Sequence, residues 1–163
     1  MKKSLILCAA FLAACSAAAP TEGGIEISDI RINPPLPGQT TGVGFMTLEN
    51  KGTADRLLAV TSPVSGRVEL HTMIDDGDIV RMRKVEGIDL PAGATVALKP
   101  GGHHLMMFDS EMTLGEDTTM TLDFENAEDL TLVVPIIKRG AKPTMSNHGS
   151  HSKPADHGSA TEH

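Results

Sequence analysis

The sequence predicts an all-β sandwich with a flexible N-terminal tether and a disordered C-terminal tail. Three observations carry this. Short runs of apolar and β-branched residues recur between turn residues about every 8–12 positions, the spacing of a sandwich. No run shows the 3.6-residue period of an amphipathic helix. Two of the runs are joined through Asp76-Gly77, and Asp-Gly between β-type segments is a strong hairpin signal.

The elements follow in order. Residues 1–14 read as a secretory signal: Lys2-Lys3 is the basic start, and residues 5–12 are an apolar stretch too short to span a membrane. Leu12-Ala13-Ala14-Cys15 resembles a bacterial lipobox, which makes Cys15 the expected lipidation site and mature N-terminus; the plainer alternative is an ordinary signal peptide with an incidental Cys. Acyl chains there would anchor the protein to a membrane. Ser16 at the next position points to the outer membrane by resemblance to sorting signals. Residues 15–23 are small and polar, the composition of a tether.

Residues 24–138 form the predicted domain. Ile25, Ile27, Ile30 and Ile32 mark a first strand whose period breaks near Ser28-Asp29, and the Pro-rich residues 33–38 form a rigid loop. Val43 to Asn50, Arg56 to Thr61, Val68 to Met73 and Ile79 to Val85 are the next strands. Ile88 to Gly93 reads as a loop, and Thr95 to Leu98 as a short strand before Pro100-Gly101-Gly102. His104 to Phe108, Thr118 to Phe124 and Leu130 to Ile137 complete the set. Met120, Leu122 and Phe124 alternate with Thr119, Thr121 and Asp123, so one face is apolar. From residue 139 to 163 apolar residues almost vanish, which predicts disorder.

Composition narrows the function. There are only four Phe and no Trp or Tyr, which argues against an aromatic stacking surface for single-stranded nucleic acid. The formal charge is −7; removing Lys2 and Lys3 with the leader takes 14 basic residues to 12 against 21 acidic, or −9, which argues against a nucleic-acid partner. Both cysteines, Cys8 and Cys15, precede the domain, so no disulfide can form within it.

The candidate site is His71, Met82, His104 and Met106. With Asp76-Gly77 as a two-residue turn, partners on the two arms have numbers summing to 153, and His71 faces Met82 with Cβ atoms about 5 Å apart. His104 and Met106, two apart on a strand, share a face. Each stretch therefore supplies one imidazole and one thioether. Thioethers select copper(I) over zinc and hard cations, and without a thiolate the site is neither a zinc-thiolate nor a blue-copper centre. Met73 falls on the same predicted face and is either a spare ligand or packing. Met46, Met107, Met112 and Met120 read as core. The tail carries Met145, His148, His151, His157 and His163, which read as a secondary metal tract better suited to copper(II); the plainer alternative is a solubilising tail whose His are incidental. A metal tract there would raise the local ion concentration near the core site.

The spacing H-x10-M-x21-H-x-M resembles the signature of the periplasmic copper chaperones called PCuAC. The segment Gly44-Phe45-Met46-Thr47-Leu48-Glu49-Asn50, the segment Ala54-Asp55-Arg56-Leu57-Leu58, Arg81-Met82-Arg83 and Pro100-Gly101-Gly102 fit the same family over roughly residues 24 to 137. His103 departs from it where an aromatic is expected, which raises the question of competition for the ion; Met107 is a second departure. The resemblance implies a cupredoxin-like Greek-key sandwich with the site at one exposed end. It also implies delivery of copper to the copper centre of cytochrome c oxidase, with a Sco-type thiol protein as a further partner.

The resulting expectation is a lipid-anchored copper metallochaperone of the bacterial periplasm, exchanging ligands with a copper-accepting protein. Three rivals stand beside it: an envelope copper buffer or resistance protein with no dedicated recipient, a redox enzyme, and a purely structural lipoprotein. The sequence offers no nucleophile–base constellation, phosphate loop or paired carboxylates, so no enzyme is expected.

Overall fold

The computed structural model describes residues 24–142, apart from Asp78. They form ten strands in two antiparallel sheets: β1 Ile25–Asn33, β2 Gly42–Asn50, β3 Asp55–Thr61, β4 Ser65–Asp75, β5 Val80–Lys84, β6 Ile88–Leu90, β7 Thr95–Leu98, β8 His104–Ser110, β9 Asp117–Phe124 and β10 Leu130–Pro135. The larger sheet runs β1-β2-β8-β4-β5, with β7 also paired to β2; the smaller runs β10-β9-β3-β6. This is the cupredoxin-like, all-β arrangement that the patterning and the resemblance implied.

Alternation decides which face each strand buries. In β9, Met120, Leu122 and Phe124 are buried while Thr119 and Asp123 are exposed. Leu70 of β4 pairs with Leu105 of β8, and Val68 with Met107. Leu70, Leu105 and Met107 belong to the core between the sheets, with Leu57 and Leu122 from the other side. Burying an aliphatic side chain fully contributes about 1.5–3 kcal/mol before the entropy of ordering it is counted. The break in period near Ser28-Asp29 is a β-bulge between Ser28 and Arg31, with Asp29 at a φ of 51°. Gly44 lies opposite Leu105, and a Cβ there would come within 3.0 Å of its Cδ1, so β2 and β8 need a glycine at that contact.

Two expectations are corrected. Ile88–Leu90 is a strand, not a loop: it pairs with β3 and buries Ile88 and Leu90 on either side of exposed Asp89. Three residues hold too little of a period to stand out from a loop. The hairpin register is also different. Asp75 pairs with Val80 and Met73 with Met82, so His71 lies opposite Lys84 rather than Met82. The connection is longer than two residues: the Asp75 carboxylate accepts a hydrogen bond from the Gly77 N–H, Asp76 N–H donates to the Ile79 carbonyl, and Gly77 takes a φ of 86°. The slip is an even one, so every side chain keeps its face although its partner changes.

Candidate metal centre

Where β4, β5 and β8 lie side by side, the face turned away from the core carries the predicted residues. His71 is directly across from His104, and Glu69 from Met106. Met82 reaches the same face through its pairing with Met73. The strands that bury Leu70 and Leu105 inward therefore present His71, His104 and Met106 outward, so the four residues share the outer face of the larger sheet. Pro100-Gly101-Gly102 sits between β7 and β8, which lie along the same side of β2. Gly101 turns there at a φ of 79°.

The two imidazoles are held from behind. His104 is 5% exposed, and its Nδ1–H donates to the Gly102 carbonyl at 2.9 Å. His71 Nε2–H donates to Glu69 Oε2 at 3.0 Å. Those bonds fix the tautomers and leave a lone pair on His104 Nε2 and on His71 Nδ1. Both nitrogens are buried, and neither has a hydrogen-bond partner among the described residues. His103 Nδ1 is also buried without a partner, but only the His71 and His104 nitrogens belong to directly paired residues on one sheet face. Buried polar atoms are nearly always satisfied, so two orphaned imidazole nitrogens on adjacent strands call for a ligand. Their ring centroids are 5.9 Å apart. Rings bound to one ion through bonds of about 2.0 Å have centroids roughly 5–6 Å apart, so the separation fits a shared ion.

Glu69 is the supporting residue that sequence reasoning missed. The hydrogen bond from His71 holds its carboxyl below the usual glutamate range; burial opposes this, and the charges of Arg67 and Lys84 reinforce it. Arg67 Nε lies 3.1 Å from Glu69 Oε1, and Arg67 also stacks over Phe108. Its position two residues before His71, on a strand, was the available signal.

The thioethers sit further out. Met82 is 48% exposed, on a strand paired only with β4, while Met106 is half-buried. Met73, Met82, His104 and Met106 line an open groove of about 940 Å³, together with Pro100 and Gly101. Arg139 to Lys142, read from the sequence as the start of the tail, also line it. His71 is not on the groove wall, and neither is His103. Cys15, Met145, His148, His151, His157 and His163 lie outside the described residues.

Among the described residues no three His, Cys, Asp or Glu side chains converge to hold a metal ion. An ion bound here would therefore rely on sulfur as well as imidazole, a donor set for a soft ion such as copper(I).

Comparison with known proteins identifies the fold and the family. The chain is 27% identical to a solved structure described as the copper-bound PCuAC domain from PmoF2, with a TM-score of 0.60 over 74% of this chain and 98% of that one. The solution structure of CuI-DR1885 from Deinococcus radiodurans shares the fold, with a TM-score of 0.57 at 23% identity over 78% and 84% of the two chains. A relative from Leifsonia xyli, "Putative lipoprotein Lxx21020", is 28% identical over 69% of each chain. The profile of the family described as "Putative lipoprotein LpqE-like" matches residues 25–136. The chain thus belongs to the LpqE-like family, with the fold of the PCuAC domains.

Proposed function

We propose that this protein is a copper(I)-binding metallochaperone of the bacterial cell envelope. The observation that carries the reading is the pair of orphaned nitrogens, His71 Nδ1 and His104 Nε2, on the same sheet face as Met82 and Met106. The similarity to a copper-bound PCuAC domain supports it.

The mechanism is ligand exchange rather than catalysis. His71 and His104, fixed by Glu69 and the Gly102 carbonyl, form the inner anchor. Met106 and the more exposed Met82 complete the sphere. An incoming soft ligand displaces Met82 first, because that thioether is the most accessible. Each step forms one copper–ligand bond as another breaks, so the ion is not released to solvent. The recipient in this proposal is the copper centre of cytochrome c oxidase, directly or with a Sco-type thiol protein. A lipid anchor at Cys15 would hold the carrier at the periplasmic membrane surface, with outer-membrane placement following from Ser16. The lipoprotein names of the family and of the Leifsonia relative support the anchor. The His-bearing tail would capture copper(II).

The test is an anaerobic copper(I) titration of the mature chain against a chromophoric chelator, beside the Met82→Ala/Met106→Ala variant. Tight one-to-one binding that collapses in the variant is expected. Equal binding in both overturns the site. Transfer to an apo-oxidase copper domain then separates a chaperone from a buffer: no transfer leaves the buffer.

A further inference from the structure

The nine methionines do not all do the same job. Met46, Met107 and Met120 are buried in the core, and Met112 packs against it. Met73 belongs to neither group. The register of β4 and β5 places it directly opposite Met82, where Cβ atoms are about 5 Å apart. Its side chain lines the groove that Met82, His104 and Met106 also line. Core packing therefore does not account for it. The register expected from the sequence had hidden this, by giving Met82 to His71 and Met73 to Val80.

We propose that Met73 is a fifth copper(I) ligand, which exchanges with Met82 during loading and hand-off. The inference rests on the copper-binding reading and deepens it. A thioether is a weak, soft and uncharged donor, so two of them facing each other at one site are nearly equivalent to the ion. Met73 is half-buried, whereas Met82 is half-exposed on the strand at the sheet edge. When Met82 swings off the ion, Met73 closes on it and keeps it bound with His71, His104 and Met106; the recipient's ligand then takes the place of Met73 in the next exchange. One copper–sulfur bond forms as one breaks, and neither charge nor oxidation state changes. The groove thus offers copper donors of graded exposure: Met82 half-exposed, Met73 and Met106 half-buried, and His104 buried.

The experiment is nuclear magnetic resonance of the mature full-length chain with 13C-labelled methionine methyl groups, titrated anaerobically with copper(I). The wild type, Met73→Leu, Met82→Leu and the double variant are compared; leucine keeps the volume and removes the sulfur. The Met73 methyl is expected to shift in the wild type, and to shift further in Met82→Leu. Affinity should fall about tenfold in either single variant, and by more than the product of the two in the double, because each sulfur covers for the other. Met82 and Met106 methyls that move while Met73 stays fixed in every sample overturn this inference and leave the copper site standing. If no methyl outside the tail moves, the copper reading fails as well, and this inference with it.

Discussion

Glu69 Oε2 accepts a hydrogen bond of 3.0 Å from His71 Nε2–H, two residues along the same strand. The bond settles which nitrogen of His71 is free. Carboxylates placed in this way orient the imidazole and make it a stronger donor. Replacing Glu69 with Ala should weaken copper(I) binding about tenfold, as loss of an orienting partner generally does. Glu69→Gln, which keeps an acceptor oxygen, should retain most of the affinity. Chelator competition on both variants checks this, and an unaltered affinity in Glu69→Ala would show that His71 is oriented by its packing alone.

A second prediction concerns acid. Burial tends to raise the pKa of Asp55, but hydrogen bonds from the backbone N–H groups of Arg56, Ala127 and Asn126, with the Asn126 side chain, outweigh it and hold the carboxyl below its usual range. Its folded-state pKa is thus lower than its unfolded one. The stabilisation is complete above the ordinary aspartate range and is lost as pH falls through the depressed value. Asp55→Asn should therefore be destabilised at neutral pH and lose less stability than the wild type as pH falls below the ordinary aspartate range, about pH 4. Urea unfolding across that range reads the difference; parallel pH profiles would refute it.

The third separates fold from site. Leu122 is fully buried in the smaller sheet, away from the groove. Leu122→Ala should cost about 3 kcal/mol, as large-to-small core changes do. Copper affinity measured well below the melting temperature should stay within about twofold of wild type, well under the tenfold step of 1.4 kcal/mol. A large loss of affinity in the folded variant would mean that the two sheets are coupled.

The fourth joins them. Gly44 has Leu105 against it, between His104 and Met106 in sequence. Gly44→Val must displace β8, at a cost of about 1–3 kcal/mol for overpacking. Unlike Leu122→Ala, it should also weaken copper binding, because both donors of β8 ride on that displacement. Thermal melts and titration of the same preparation test both halves.

Much of this was legible in the sequence. Alternation in β9 and the broken period of β1 gave both strands because each is long enough to repeat. The spacing of His71, Met82, His104 and Met106 singled out residues that share one sheet face. What the sequence did not show depends on geometry. β6 is too short to have a period. The β4–β5 register hung on a turn in which the Asp75 carboxylate lengthens the connection. A two-residue turn at Asp76-Gly77 is locally reasonable, and only the paired strands decide between them. The Gly102 carbonyl beside His104 is a backbone group, invisible to any reading of side-chain types.

His104 and Met106 lie on the outer face of a strand whose inner face buries Leu105 and Met107, and for a copper carrier that placement would set how the protein ages in use. The groups that fold the chain and the groups that grip the ion point in opposite directions. In domains whose core is the metal site, losing the ion means unfolding, and each delivery exposes the chain to proteases. Here the core does not depend on the ion. On the proposed function an emptied chain would stay folded and could be refilled, and its working lifetime would be set by damage to exposed sulfur, above all oxidation of Met82, rather than by the number of deliveries.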